Sequence, residues 1–243
     1  MIDFSKQQLG RLPSKHDRRT LQLAKYVRLA NVLIPPDCRW DKPVKEWGAL
    51  GNDLAGNCVV ATAGHEIHAW ETNVNPTAPR ISDADALKLS RKMGAMNGYN
   101  ILDRNVYWRK NKMWDRALWA FAAVDPPNHD LMKVAVAEFG SADIGINLPA
   151  AWRGRHTWDS GKGPSYRPNT WGPHSVPLVG YDANGLFAVS WGDIYKLTWS
   201  ALDEYADECY ALISPQWLAL AGKTPAGYDL VQLHRDLHAA TAD

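Results

Sequence analysis

Cysteine is scarce in this chain: Cys38, Cys58 and Cys209 are the only three in 243 residues. An odd, sparse count excludes a disulfide-stapled scaffold and favours a reducing compartment, or one thiol kept free for chemistry. A surplus of either charge is missing too, with 27 Lys plus Arg against 26 Asp plus Glu. That balance removes the broad attraction behind non-specific binding to nucleic acid or acidic membranes, and neither is expected as a partner. Long apolar runs are absent. The best stretch, 27–36, is broken by Arg28 and Asn31 and ends at Pro35 and Pro36, well short of the roughly eighteen residues a membrane span needs. The polar start, MIDFSKQQLGRLPSKHDRR, lacks the apolar core of an export signal, so the protein is expected to begin near Met1 and to stay in the cytoplasm where it is made. No repeat or low-complexity linker occurs. What the chain has in abundance is tryptophan, twelve residues, which promises large buried aromatic area and contact surface.

The expected organisation is an N-terminal arm with a surface helix over 1–45, one domain over 46–218 and a C-terminal tail over 219–243. Residues 11–19 are basic, with Arg11, Lys15, Arg18 and Arg19 against Asp17, and read as a solvated arm. Apolar residues Leu21, Ala24, Val27 and Leu29 recur at mostly helical spacing, which predicts a helix over 18–33. A turn-rich loop, WGALGNDLAGNC, runs into VVATAGHEIHAWE, so Cys58 falls at the first turn of a helix, where N–H groups and the dipole favour a thiolate. Ser82 reads as an N-cap, Gly140 as a C-cap, and helices are expected near 102–110 and up to Phe139. After a long Gly, Ser, Pro and Trp-rich loop, 151–171, the texture becomes β-rich: HSVPLVGY, GLFAVSWG and IYKLTW, with Asn184-Gly185 as a hairpin signal. A helical first half followed by an antiparallel β half is an α+β pattern.

A nucleophilic cysteine needs a base, an oxyanion donor and a group to orient the base. Two segments carry such types: Gly51-Asn52-Asp53-Leu54-Ala55-Gly56-Asn57-Cys58 and Trp171-Gly172-Pro173-His174-Ser175-Val176, which runs on to Gly180-Tyr181. With Ser190-Trp191-Gly192, they resemble the papain-like cysteine peptidases, whose pattern is Gln-x-x-x-Gly-x-Cys, Gly-x-His-x-Val before a strand ending Gly-Tyr, and Asn-Ser-Trp-Gly. The whole chain also resembles papain-fold proteins encoded by bacteriophages and prophages. The resemblance implies a helical half bearing the cysteine, packed on an antiparallel β half with a cleft between them. It implies Cys58 as nucleophile, His174 as general base, and Asn52 in the place of the oxyanion glutamine. Gly56, Asn57, Trp171, Trp191 and Trp152 would line the cleft. It implies no metal and no organic cofactor, and a peptide or protein substrate chosen by loops 151–171 and 94–115.

Two departures stand out. Val59 replaces the tryptophan that usually follows the cysteine. Val189 stands where the family has the asparagine that orients the histidine, and valine forms no hydrogen bond; Ser190, Asp182, Asn184 or Asp193 would have to reach His174 instead, or a Cys58/His174 dyad would work unaided. Two functions therefore stay open. One is a phage-type cysteine hydrolase acting in the host cytoplasm. The other is a papain-fold structural component of a virion, working through contacts with virion or homo-oligomeric neighbours. His65 and His68 lie three apart, not the four of a zinc-protease helix, and no metal is expected there.

Overall fold

Thirteen consecutive residues, Cys58 to Trp70, are buried in the helix α1 (Cys58–Val74). A helix covered on every side belongs in a core, and its polar side chains then need partners inside. His65 Nε2 lies 2.9 Å from the Gly48 carbonyl, His68 Nε2 accepts from the Ile81 N–H at 3.0 Å, and Glu66 Oε2 receives Arg104 at 3.2 Å. Burial pushes the two imidazoles down to about 4 and about 3, so both are neutral core groups bound to main chain. Among the described residues no three His, Cys, Asp or Glu side chains gather as a metal site.

The computed structural model describes residues 7–217; the segment 219–243, expected to be a tail, lies outside them. Around α1 stand α2 (Asp83–Met93), opened by a Ser82–Asp85 capping box, and α3 (Ile101–Lys110), capped by Asn100. α4 (His129–Phe139) ends at Gly140, whose φ of +77° is the left-handed cap a glycine takes at little cost.

The expected helix over 18–33 does not form. Its place is taken by β1 (Leu21–Gln22) and short 3-10 turns at Leu23–Lys25 and Leu29–Asn31. Leu21 and Gln22 pair in parallel with Ala122 and Ala123 of β3 (Ala120–Ala123), and Leu23, Tyr26 and Val27 are buried there. Sheet pairing has overridden a weak helical preference. Together with β2 (Cys38–Arg39), β4 (Ala142–Leu148), β5 (Thr157–Trp158), β6 (Gly172–Asp182), β7 (Gly185–Ser190), β8 (Asp193–Thr198) and β9 (Ala206–Ile213), these make one sheet. Its order is β1-β3-β9-β4-β6-β7-β8-β5, with β2 on β6. α5 (Trp199–Tyr205) closes the β half. One hydrophobic core surrounds α1, and a second fills the β half. Ser175 Oγ to Thr62 Oγ1, 3.0 Å, ties β6 to α1 between them. No helix among the described residues is long and apolar enough to cross a membrane.

Candidate active site

Cys58 is the first residue of α1 and is 1% exposed. Burial pushes its thiol up to about 11, while the backbone N–H groups of Ser175, Gly10 and Val59 and the charge of Arg11 act the other way. The sulfur thus sits where a helix start and neighbouring N–H groups would hold a thiolate, in a pocket closed to water. Cys38 and Cys209 are buried free thiols, also raised by burial.

His174 lies on β6, one residue before Ser175, whose backbone N–H acts to lower the Cys58 thiol. Its Nε2 is 2.7 Å from Ser190 Oγ, and its Nδ1 is buried without a hydrogen-bond partner. With Nε2–H donating to Ser190, Nδ1 is a bare acceptor on the side of the ring nearer the main chain. Burial first, then Arg11 and His65, push the imidazole down to about 3, so it is neutral. Trp191 stacks on the ring, centroids 4.4 Å apart and planes 13° apart. Its φ of +47°, beside Gly192 at +86°, marks a two-residue hairpin turn between Ser190 and Asp193. A bulky residue in the left-handed region is strained, and here the turn sets the indole flat on the imidazole.

Several expected roles move. Val189 faces Val44, Trp47, Ala69 and Val179 in a small core of its own; the residue beside it, Ser190, meets the histidine. Asp182 binds Lys196 and the Asn184 N–H at the far hairpin, and Asp193 binds His156 at 2.8 Å, so Asp182, Asn184 and Asp193 do not orient His174. Asn52 Nδ2 donates to the Ala55 carbonyl at 3.0 Å, closing its own turn and leaving one amide hydrogen over. Asn57 turns away from the cleft to Leu50 O and Ser90. Trp152 is fully buried, stacked on Trp158 and bonded to Asp159 O; it is core rather than cleft wall. Gly56 and Trp191 lie against residues 8–10, and Trp171 stacks on Trp191.

Residues 7–13 of the expected arm, whose stretch 11–19 the sequence cast as solvated, pack onto the domain near α1 and β6. Gln8 N donates to Asn52 O, and Trp191 Nε1 donates to Gln8 O at 3.2 Å. Leu9 lies against Gly172. Gly10 rests so closely on Gly56 that a side chain at either position would meet main chain. Tyr99 N donates to Gly10 O at 2.8 Å and Leu12 N to Tyr99 O at 2.9 Å, a parallel bridge between Arg11 and Tyr99, while Asn97 pairs in the same sense with Gly56. Arg11 is 3% exposed, its guanidinium 2.8 Å from Glu208 Oε1, 2.9 Å from Asp207 Oδ2 and 3.0 Å from Asn147 Oδ1. The Gly10 N–H is among the groups that act to lower the Cys58 thiol, so the segment passes beside this buried cysteine. Charge count and local spacing gave no sign of Arg11, Asp207, Glu208 or Asn147.

No family model and no curated protein matches the chain. Among solved structures it is similar to xylellain, a cysteine protease from Xylella fastidiosa, at TM-score 0.65 and 14% identity over 86% of this chain and 96% of that one. It is similar to procathepsin L2 proteinase from Tenebrio molitor larval midgut at 0.62 and 14%, covering 86% and 79%, and to proCathepsin B S9 from Trypanosoma congolense at 0.60 and 11%, covering 88% and 89%. The likeness runs through both halves and the sheet between them, and the chain has the papain-like α+β fold.

Proposed function

We propose that the protein is a papain-fold cysteine peptidase whose own arm holds it closed. Cys58 Sγ attacks a peptide carbonyl, and the thiol proton passes to His174 Nδ1 and on to the leaving amine. A water then hydrolyses the thioester, releasing the acid and restoring the thiol. Asn52 and the Cys58 N–H would receive the oxyanion. The observation that carries the reading is the imidazole: held at Nε2 by Ser190, roofed by Trp191, with Nδ1 buried and unpaired, one residue before the Ser175 N–H that acts to lower the Cys58 thiol.

Ser190 is a positioning residue here. In the full chain opened by Gly10→Val, a peptide-aldehyde or vinyl-sulfone probe should label Cys58, and Cys58→Ala should remove the label. Ser190→Ala should slow turnover of a peptide substrate about ten- to hundredfold with KM little changed, as loss of an outer hydrogen bond to a working imidazole does, and Ser190→Thr should recover part of it. Labelling of the opened chain no faster than its Cys58→Ala form would end the peptidase reading.

The second reading, a non-catalytic component of an assembly such as a phage particle, draws on the sealed thiol. Purified particles that lack the chain as a stoichiometric component would exclude it. Val189 speaks less for it, since the neighbouring Ser190 lies 2.7 Å from the histidine.

A further inference from the structure

Polar side chains shut away from water have to satisfy one another, and five of them do so here in a ring that joins four elements. Thr62 and Glu66 lie on α1, Ser175 on β6, Asp143 on β4 and Arg104 on α3, and all are buried. Ser175 Oγ lies 3.1 Å from Asp143 Oδ1 and 3.0 Å from Thr62 Oγ1. A carboxylate only accepts, so the one hydrogen of Ser175 goes to Asp143 and the Thr62 hydroxyl donates to Ser175. The other oxygen of Asp143 takes Arg104, and Arg104 Nη1 returns to α1 at Glu66 Oε2, 3.2 Å away.

The strand register explains why the ring closes. Opposite Ser175 on β4 stands Gly145, which has no side chain to meet the hydroxyl. Asp143, two positions along on the same face, is the diagonal neighbour within reach. On α1, residues four apart share a face, so Cys58, Thr62 and Glu66 form one stripe. The hydroxyl contact thus sits about one helical turn from Cys58 and one residue from His174. Among the described residues it is the one side-chain to side-chain hydrogen bond that joins α1 to β6. Ser175 also acts on the Cys58 thiol through its backbone N–H. Apolar packing alone lets a helix slide on a strand by small steps, whereas a directional bond with a charged anchor favours one separation.

We propose that Thr62 and Ser175, braced by Asp143, are positioning residues that set the separation of Cys58 and His174 across the seam between the two halves. This rests on the reading of Cys58 as nucleophile and His174 as base, and it names the device that holds them in register. A thiol hands its proton to an imidazole only within hydrogen-bond reach, and a displacement on the order of 1 Å at such a pair costs about hundredfold in rate. Neither Thr62 nor Ser175 touches substrate; each acts through the element that carries its neighbour.

The test uses the full chain opened by Gly10→Val, because the added side chain meets the Gly56 main chain and unseats the arm; Arg11→Ala gives a second opened background. Thr62→Val keeps the shape and removes the hydroxyl, and Ser175→Ala keeps the strand and its N–H; if Ser175→Ala does not fold, Thr62→Val decides alone. In each, the inflection of Cys58 alkylation by iodoacetamide should rise by about half to one pH unit, toward that of His174→Ala, and peptide turnover should fall about tenfold with KM little changed. The double variant should lose little more than either single, as two members of one contact do. Thr62→Ser, which retains the hydroxyl, should recover most of the parent's profile. Val134→Ala, on α4 in the core of the β half, controls for loosening alone and should move neither readout. Profile and turnover unchanged in Thr62→Val and Ser175→Ala, or shifted as far by Val134→Ala, would overturn the positioning role while leaving the peptidase standing. A profile that the variants move in a chain that cuts no peptide would overturn the peptidase reading and keep the positioning. A Cys58 that alkylates as an ordinary thiol, unmoved by His174→Ala, would overturn both.

Discussion

Arg11 and Arg104 each bring a guanidinium out of water against two carboxylates, but they are anchored in opposite ways. Arg104, on α3, reaches Glu66 of α1 and Asp143 of β4, and all three side chains are 0% exposed. Ser175 Oγ extends this network, donating to Asp143 Oδ1 at 3.1 Å. Every member sits on a helix or a central strand. Burial pushes Glu66 up to about 7 against the pull of Arg104, as befits a core where one negative charge is in excess. Arg11 instead rides on a segment held by a few main-chain bonds, and one of its acids, Asp207, is 35% exposed. The same chemistry makes a permanent joint when both sides belong to the frame, and an exchangeable contact when one side can leave.

The largest test of that contrast is Arg104→Ala. Removing one partner of a buried ion cluster leaves its carboxylates uncompensated, and about 3–5 kcal/mol of stability should be lost, read from denaturant midpoints. A loss under about 1 kcal/mol would show that the cluster is not a joint. Arg11→Ala should cost less, about 1–2 kcal/mol, since water can enter beside Asp207, and it should also speed alkylation of Cys58, which Arg104→Ala should not do by opening the cleft. Glu208→Gln should have a smaller effect on stability. It keeps the shape and the Asp207 bond, and by weakening the arm's hold it should raise susceptibility of residues 7–13 to proteases several-fold.

The smallest effect is that of pH on the arm. Burial raises Glu208 above its ordinary 4.5 and Arg11 opposes that rise; burial and Arg11 lower His174 from its ordinary 6.5 to about 3. When the arm leaves, His174 gains water and loses the Arg11 charge, so it binds protons more readily and acid favours the open form, while at Glu208 the gain of water and the loss of Arg11 act in opposite directions. Other ionisable groups around the segment include Asp207, paired with Arg11, Tyr195, whose hydroxyl accepts from Gln7, Tyr99, paired with Arg11 through main chain, and Cys58. Between pH 6.5 and 4.5, limited proteolysis within 7–13 should therefore quicken, measured with a protease whose own rate is corrected for pH. A rate that falls across that window would reverse the sign.

How much of this was legible in the sequence follows from how local each signal is. Cys58 at a helix start and Ser82 and Gly140 as caps rest on neighbouring residues, and the structure shows each element where its local chemistry places it. Asn52 closes its own turn and Ser190 takes the place expected to be empty at Val189, because a one-position shift at a hairpin end changes which side chain faces the ring. Arg11 was read as solvated since its run is basic and polar; its burial comes from residues 136 and 196 to 197 positions away along the chain. A strand bulge that turns Asp207 beside Glu208 leaves no mark in composition or periodicity. Likewise the apolar spacing over 18–33 is satisfied by pairing with β3 rather than by a helix.

The measurement that bears most directly on the account is the pH profile of Cys58 alkylation by iodoacetamide, compared in the intact chain and in Gly10→Val. With the arm seated, reactivity should rise only toward the buried thiol's value of about 11. With the arm displaced, the sulfur gains water, the helix start and the His174 imidazole, and the profile should move below the ordinary thiol value of 9, with His174→Ala moving it back up. Identical profiles in the two chains, both inflecting near the ordinary thiol value, would contradict a nucleophile held closed by its own arm.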